Sequence, residues 1–303
     1  MLAKTIVGST SVVEINRNLL KQLEEKIVGL VGDTAIETSK ASQHDASHAA
    51  LYHLSSGGKR TRGRLAIHAS LALGLSQSDA LCLASVTELL HNASLIHDDL
   101  QDEDRLRHGL ATVWSKYGTN AAICTGDLMM SAAYASLCGV SNYMIIPSLL
   151  ALVHERTQLA IRGQCEDLAV QNQAVNEIQI YEKIVVAKSG ALLSLPLELA
   201  LVASGHSSSA GQARRAAEAF SVAYQIADDL DDFPGDAQKG SLNIVCVAQA
   251  SGAHEDAVSS AKNYGALHLE KAINAAQDLP CDSGALLLQL AYELREHFSS
   301  KEQ

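Results

Sequence analysis

Apolar residues recur at helical rather than strand spacing along almost the whole chain. Leu19, Leu20, Leu23, Ile27 and Leu30 mark one amphipathic helix over Val12 to Leu30. A second is expected from about His44 to Leu54, stopped by Ser55-Ser56-Gly57-Gly58. Leu65 to Leu73 and Leu81 to Ile96 follow as helices. Thr112 to Gly118 reads as a turn into a helix that passes through Gly126-Asp127-Leu128-Met129-Met130 towards Cys138. Ile145 to Ala160 is apolar and helical and leads into Arg162 to Leu168, where Gln164 and Asp167 share a face. After a polar stretch from Gln171 to Gln179, the apolar run Tyr181 to Leu201 is broken by Lys188-Ser189-Gly190 and Pro196. Ala210 to Ala227 is the next helix, Phe233 to Gly240 a short loop, and two or three further helices fill Leu242 to Phe298. Strand-like alternation of useful length, internal repeats and low-complexity linkers are all missing, so the pattern predicts a single all-α domain over residues 1–303.

Composition narrows the class. Hydrophobic residues make up 47% of the 303, enough for a substantial core, and only 4 Pro and 3 Phe stand against abundant Ala and Leu, which favours helix. A net charge of −11 argues against nucleic acid as a partner and makes each basic cluster more informative. The six cysteines (82, 124, 138, 165, 246 and 281) show no CxxC or His/Cys metal spacing and read as free, mostly core thiols in a reducing compartment. The N-terminus has no signal-peptide pattern. No stretch reaches the roughly 18 uninterrupted apolar residues of a spanning helix; Ala187 to Ala203 comes nearest. The expectation is a soluble, cytoplasmic protein without stable membrane insertion.

Two acidic clusters carry the candidate chemistry. Asp98-Asp99-Leu100-Gln101-Asp102 closes the apolar run Leu81 to Ile96, and Asp228-Asp229-Leu230-Asp231-Asp232 closes Phe220 to Ala227. Residues i and i+4 share a helix face, so Asp98 and Asp102 point one way with Asp99 beside them. Carboxylates packed this closely repel one another, and a divalent cation removes the conflict. Mg²⁺ is typically held by one or two carboxylates together with substrate phosphate oxygens. One such cluster alone reads equally well as a solvated acidic helix end; two of them, together with the basic residues, point to a metal-held polyanion.

Those basic residues begin at Gly57-Gly58-Lys59-Arg60-Thr61-Arg62-Gly63-Arg64, where a glycine pair and four cations lead into a helix N-terminus, a setting that suits an anion. The spacing is not that of a Walker loop, and a solvated basic turn is the plainer alternative. His91 lies two turns before Asp98 and shares its face, although a lone His on an apolar helix is often a satisfied core residue. Arg105, Arg107 and His108 add positive charge after the first acidic cluster. Lys188 lies amid apolar residues, which is costly unless it meets an anion.

In this order, Gly57-Gly58-Lys59-Arg60, the two aspartate clusters, Lys188-Ser189-Gly190 and Gly163-Gln164-x-x-Asp167 resemble the trans-isoprenyl diphosphate synthases, the polyprenyl synthetase family, with a geranylgeranyl-synthase-like flavour. The likeness runs from about Ser56 to Asn243 and extends to His91 to Asp99, Thr112-Val113-Trp114, Gly126-Asp127 and Gln225 to Asp229. It implies an antiparallel helix bundle around a deep central cavity, usually as a homodimer. It also implies head-to-tail joining of an allylic diphosphate to isopentenyl diphosphate, with three Mg²⁺ ions. On these positions Asp98, Asp102 and Asp228 would ligate metal, supported by Asp99, Asp229 and Asp232. Lys188, Arg107 and Lys239 would stabilise the leaving diphosphate. Gln225 and the backbone near Lys188-Ser189 would face the carbocation, and Lys59, Arg62 and His91 would bind isopentenyl diphosphate. Ala93 and Ser94, five and four residues before the first aspartate, are small where fifteen-carbon synthases often carry aromatics. This implies products of twenty carbons or more, with Met129, Met130 and Tyr134 as candidate floor residues.

The chain departs from the family pattern at His108, where an arginine is usual, at Gly63, where a proline is usual, and in the short segment after Asp232. A neutral imidazole contacts phosphate more weakly than a bidentate guanidinium. An active elongase is the first reading. A weakly active or regulatory homologue that binds prenyl diphosphates is the second, and an enzyme using the same ionisation on another acceptor, or cyclising the cation, the third.

Overall fold

The computed structural model describes residues 9–32, 45–252 and 256–300. The chain divides into two compact units, Met1–Leu150 and Ala151–Gln303, with the division falling inside a helix. The first unit holds α1 (Ser9–Val31), α2 (Ala46–Ser55), α3 (Thr61–Ala72), α4 (Gln77–Gln101), α5 (Val113–Tyr117) and α6 (Thr119–Ser136). Leu19, Leu23, Ile27 and Val31 are buried, the stripe expected of α1. The residue His44, proposed to start the second helix, lies outside the described residues; α2 begins instead after Asp45, whose Oδ1 accepts from the Ser47 N–H at 3.1 Å. Ser76 caps α4, accepting from the Asp79 N–H at 3.0 Å while its own hydroxyl donates to Asp79. The helix then buries Leu83, Val86, Leu89, Ala93 and Ile96, and it packs on α3 and α6.

Between α4 and α5 lies a small antiparallel hairpin, β1 (Leu106–Arg107) and β2 (Leu110–Ala111), that the hydrophobic pattern did not predict. Its two-residue turn, His108-Gly109, has φ of 50° and 80°. Positive φ at both central residues is the hairpin turn whose twist matches the strands, and it favours glycine.

α7 (Ile146–Val170) precedes the helices of the second unit: α8 (Ile178–Val185), α9 (Ala191–Ala203), α10 (Ala210–Lys239), α11 (Ile244–Ala250), α12 (Ala257–Gln277) and α13 (Ala285–Ser300). α10 packs on α9 and α12. α9 is buried on all sides, and its one acid, Glu198, is held by the buried Arg156 through Nε–Oε1 and Nη2–Oε2 bonds of 2.8 and 2.9 Å. A buried carboxylate requires such a partner.

Three expectations need correction. Lys188-Ser189-Gly190 and Pro196 do not break the run after Tyr181. The first is absorbed as a π-helical turn, Val186–Gly190, and Pro196 sits inside α9 at the loss of one ladder bond. Phe233 to Gly240 is not a loop, because α10 continues through it to Lys239 and ends at Gly240, whose left-handed φ of 69° closes the helix. The cysteines are free as expected but mostly not core: Cys82 is buried, whereas Cys124, Cys138, Cys165 and Cys281 are exposed. Two segments, Thr119–Gly139 and Ile178–Ala203, are long and apolar enough by mean composition to cross a membrane, although charged residues interrupt both; the apolar window of the second is 83% buried within the protein.

Candidate active site

In the first unit the aspartate cluster ends α4. Asp98 and Asp99 occupy the last turn, and Asp102 is the C-cap, its N–H donating to the Asp98 carbonyl at 2.8 Å. The C-terminal end of a helix carries partial negative charge, so three carboxylates there raise each other's cost. Asp99 escapes by pairing inward. It is 2% exposed and takes the Arg107 guanidinium in a fork, with Nη2–Oδ1 at 2.6 Å and Nε–Oδ2 at 3.1 Å. Burial pushes the Asp99 carboxyl up, and the Arg107 hydrogen bond and charge oppose that. Asp98 is half-buried and Asp102 exposed, one turn apart on the outer face.

That face also carries His91 and Ser94, both partly open, whereas Ala93 is buried with Asn92 and Ile96 on the opposite side. The Ser94 hydroxyl donates to the His91 carbonyl at 2.8 Å. Burial holds the His91 pKa well below the usual imidazole range, with Arg62 and Arg107 adding to the effect. His53 lies in the same basic surroundings, its Nε2 3.1 Å from Asn92 Oδ1, and burial followed by Arg107 lowers it to about 4. A neutral imidazole between guanidinium groups marks a region of positive potential, suited to an anion.

The glycine-rich stretch supplies those cations unequally. Lys59 is exposed and Arg62 half-buried, but Arg60 turns inward and forks Glu24 at 2.6 and 3.1 Å. Glu88, 1% exposed, accepts the Gly63 N–H at 2.7 Å and lies 4.0 Å from Arg60. Burial raises the Glu88 pKa, and the Gly63 hydrogen bond and Arg60 offset it. The carboxylate thus satisfies one of the orphan donors in the first turn of α3 and fixes where Arg62 leaves the helix. Gly63 fits this role because a proline there would have no N–H to give. His108 is exposed at its left-handed turn position, a conformation in which histidine is tolerated.

In the second unit the aspartate cluster lies inside α10 rather than at its end, a further correction to the sequence reading. Asp228 and Asp232 are exposed, whereas Asp229 is 2% exposed. Its Oδ2 accepts from the Tyr181 hydroxyl and the Ile244 N–H, both at 2.8 Å, and its Oδ1 accepts from Gln225 Nε2 at 2.9 Å. Burial raises the Asp229 pKa to about 6 against the pull of these donors. Gln225, expected to face a carbocation, therefore directs its amide to Asp229.

Lys188, in the π turn with the half-buried Ser189, donates to Asp167 at 2.5 Å. α7 approaches this turn closely at Gly163, where a Cβ would stand 2.3 Å from the Lys188 nitrogen and 2.6 Å from the Ala187 carbonyl carbon. Only glycine permits that approach. Lys239 is exposed on the last turn of α10, not on a flap.

Sequence reasoning missed Tyr181, Asn243, Glu88 and His53 as residues that hold the site. Glu88, His53 and Tyr181 meet partners 25 to 48 positions away in the chain, so no local pattern marks them; Asn243 is a local cap for α11, but its bond to the Asp229 carbonyl spans 14 positions.

The donor set fits Mg²⁺. Asp98 with Asp102, and Asp228 with Asp232, are hard oxygen pairs presented one helical turn apart, while Asp99 and Asp229 spend their oxygens on protein donors. Among the described residues no three His, Cys, Asp or Glu side chains form a closed metal cage. Mg²⁺ needs none, because it keeps waters and takes phosphate oxygens.

The family model for polyprenyl synthetase matches residues 43–243. Octaprenyl diphosphate synthase of Haemophilus influenzae is 25% identical over 232 residues, covering 76% of this chain and 64% of that protein. Chloroplastic geranylgeranyl pyrophosphate synthase of Capsicum annuum is 31% identical over 67% of this chain and 59% of its own length. The chain thus spans less than two thirds of either relative. Among solved structures, geranylgeranyl pyrophosphate synthetase from Geoglobus acetivorans superposes with a TM-score of 0.82 at 23% identity, over 93% of this chain and 99% of that one. The corresponding Pyrococcus horikoshii structure gives 0.82 at 21% identity, over 94% and 99%. These likenesses show the isoprenoid synthase fold.

Proposed function

The chain belongs to the polyprenyl synthetase family, and from that premise we propose that it is a trans-prenyltransferase. It joins an allylic diphosphate to isopentenyl diphosphate head to tail and releases diphosphate. One observation carries the reading: in both acidic motifs the second aspartate is buried on internal donors, while the first and last are turned outward as carboxylate pairs.

The residues divide the work. Asp98, Asp102, Asp228 and Asp232 would hold Mg²⁺, three ions with substrate bound. When bound, Mg²⁺ supplies charge neutralisation for the diphosphate oxygens as the allylic C–O bond breaks. Lys188, Arg107 and Lys239 add fixed positive charge where the leaving group becomes more negative. Lys59, Arg62 and His91 bind the diphosphate of the second substrate, whose double bond attacks the allylic carbon. The departing diphosphate takes the final proton, so no protein base is required. Ser94, on the open face, leaves room for a product of twenty carbons or more; Ala93, expected to share that role, is instead buried among packed side chains. The family match runs through both units, which supports reading residues 1–303 as one polyprenyl synthetase domain. We place it in the cytoplasm, as a homodimer.

His108 favours a second reading. An exposed imidazole on a tight turn offers less to a phosphate than arginine, which suits a weakly active or regulatory prenyl-diphosphate-binding homologue. Incubation with Mg²⁺, labelled isopentenyl diphosphate and each allylic diphosphate in turn separates the two. Chain growth supports the transferase; Mg²⁺-dependent binding without incorporated label refutes it in favour of the second.

A further inference from the structure

Asn243 is fully buried, with three side-chain hydrogen bonds and one accepted by its carbonyl. Its Oδ1 accepts from the Val245 N–H at 2.9 Å and caps α11, and its carbonyl accepts from the Val247 N–H at 3.1 Å. Its Nδ2 donates to the Asp229 carbonyl at 2.8 Å and to Asp236 Oδ2 at 2.9 Å. Between those two residues lies Pro234, which has no N–H to give the Leu230 carbonyl and would ordinarily end or kink the helix. The Asn243 amide therefore grips α10 on both sides of its weak point, and α10 runs on to Lys239.

Tyr181, 1% exposed, works from α8 on the same residue, its hydroxyl donating to Asp229 Oδ2 at 2.8 Å. An apolar side chain at 229 would pack at less cost than a desolvated carboxylate that needs donors from α8, α10 and the start of α11. What the carboxylate adds is direction: it admits one rotation of α10 about its axis.

We infer that Asn243 and Tyr181 are positioning residues of the second acidic motif, acting through Asp229 to turn Asp228 and Asp232 outward and to carry the helix past Pro234 to Lys239. The significance of those three residues rests on the prenyl-transfer reading.

The test compares Tyr181→Phe, which removes one hydroxyl, with Asn243→Asp, which keeps the α11 cap but replaces the donor with an acceptor facing Asp236. Calorimetric titration with inorganic diphosphate in Mg²⁺ buffer reads the site without turnover. Tyr181→Phe should weaken binding about tenfold and Asn243→Asp by at least as much, at a temperature where circular dichroism shows both folded. Tyr181→Phe added to Asp229→Asn should weaken binding no further than Asp229→Asn alone. With substrates, KM for the allylic diphosphate should rise while KM for isopentenyl diphosphate stays put. A lowered melting temperature with unchanged diphosphate affinity would make both residues merely structural and overturn the inference, as would a wild type that shows no Mg²⁺-dependent diphosphate binding. A wild type that binds but does not elongate sinks the prenyltransferase reading alone, and the variant series still decides the inference.

Discussion

Gly63 offers the sharpest stability test, because the family pattern places a proline where this chain donates a hydrogen bond. The Gly63 N–H gives 2.7 Å to the buried Glu88 carboxylate, and a Cβ at 63 would stand 2.6 Å from Leu23 Cδ2 and 3.0 Å from Glu88 Cγ. Two substitutions separate these effects. Gly63→Ala keeps the donor and adds only bulk, which costs about 1 to 3 kcal/mol in a packed interior. Alanine recovers up to about 1 kcal/mol of helix propensity, for a net loss of about 0 to 3 kcal/mol. Gly63→Pro adds the same bulk and removes the donor, and a hydrogen bond to a charged group contributes about 1.5 to 3 kcal/mol. Its rigidity returns about 0.4 to 1 kcal/mol through the unfolded chain, which leaves a loss of about 2 to 5 kcal/mol. Guanidinium unfolding at pH 7.5, followed by the fluorescence of Trp114, the chain's single tryptophan and a member of the same unit, measures both. The two variants should differ by about 2 kcal/mol, and the difference should shrink in a Glu88→Gln background. A proline variant as stable as the alanine one would refute the idea that the Glu88 carboxylate anchors this turn.

Four further outcomes follow. Asp98→Ala and Asp228→Ala should each cost at least about a hundredfold in turnover with unchanged helicity, assayed by labelled isopentenyl diphosphate incorporation; retained activity in either would count against the metal assignment. Ser94→Phe should shorten the product seen by chromatography of the hydrolysed prenyl alcohols, because Ser94 shares the open face of α4 with Asp98. Ala93→Phe, aimed into packed surroundings, should instead lower the melting temperature. His53 titrates at about 4 in the folded chain against about 6.5 unfolded, so its neutral burial favours folding fully above about pH 6.5, and that contribution fades as pH falls towards 4. The stability gap between wild type and His53→Asn, from unfolding curves, should therefore narrow by up to about 3 kcal/mol between pH 7 and pH 4.5; a constant gap would contradict the buried neutral imidazole.

Much of this molecule is legible in its sequence where the governing interaction is local. The stripe of α1 and the shared face of Asp98 and Asp102 both follow from spacing within a few residues. The α10 extension does not, since Pro234-Gly235 is a sound stop signal, overridden by a side chain from the following helix. Lys188-Ser189-Gly190 likewise looks like a break, and is instead seated as a π turn by the closeness of Gly163. Glu88 reads as a stray acid on an apolar helix until the Gly63 N–H is found against it. The hairpin was within reach: His-Gly between Leu106-Arg107 and Leu110-Ala111 is a tolerable pair for two positive φ values, but strands of two residues leave no periodicity to detect.

The doubled aspartate in each motif has a geometric reason. Adjacent residues on a helix are about 100° apart, so a pair of neighbours cannot both face one ligand. With Asp98 and Asp228 turned outward, Asp99 and Asp229 turn towards the helices behind them, and a carboxylate turned that way needs donors. Asp99 finds a guanidinium and Asp229 finds a phenol, an amide and a helix N-terminus. The difference has consequences. Asp229 is held by neutral donors that have no other task, whereas Asp99 is held by Arg107, which is itself assigned to the diphosphate. On the proposed transferase reading, an anion that draws on Arg107 would pull on the anchor of the first motif and leave that of the second untouched, so the two acidic motifs would not be interchangeable halves: the first would be coupled to substrate charge, and the second fixed by the fold.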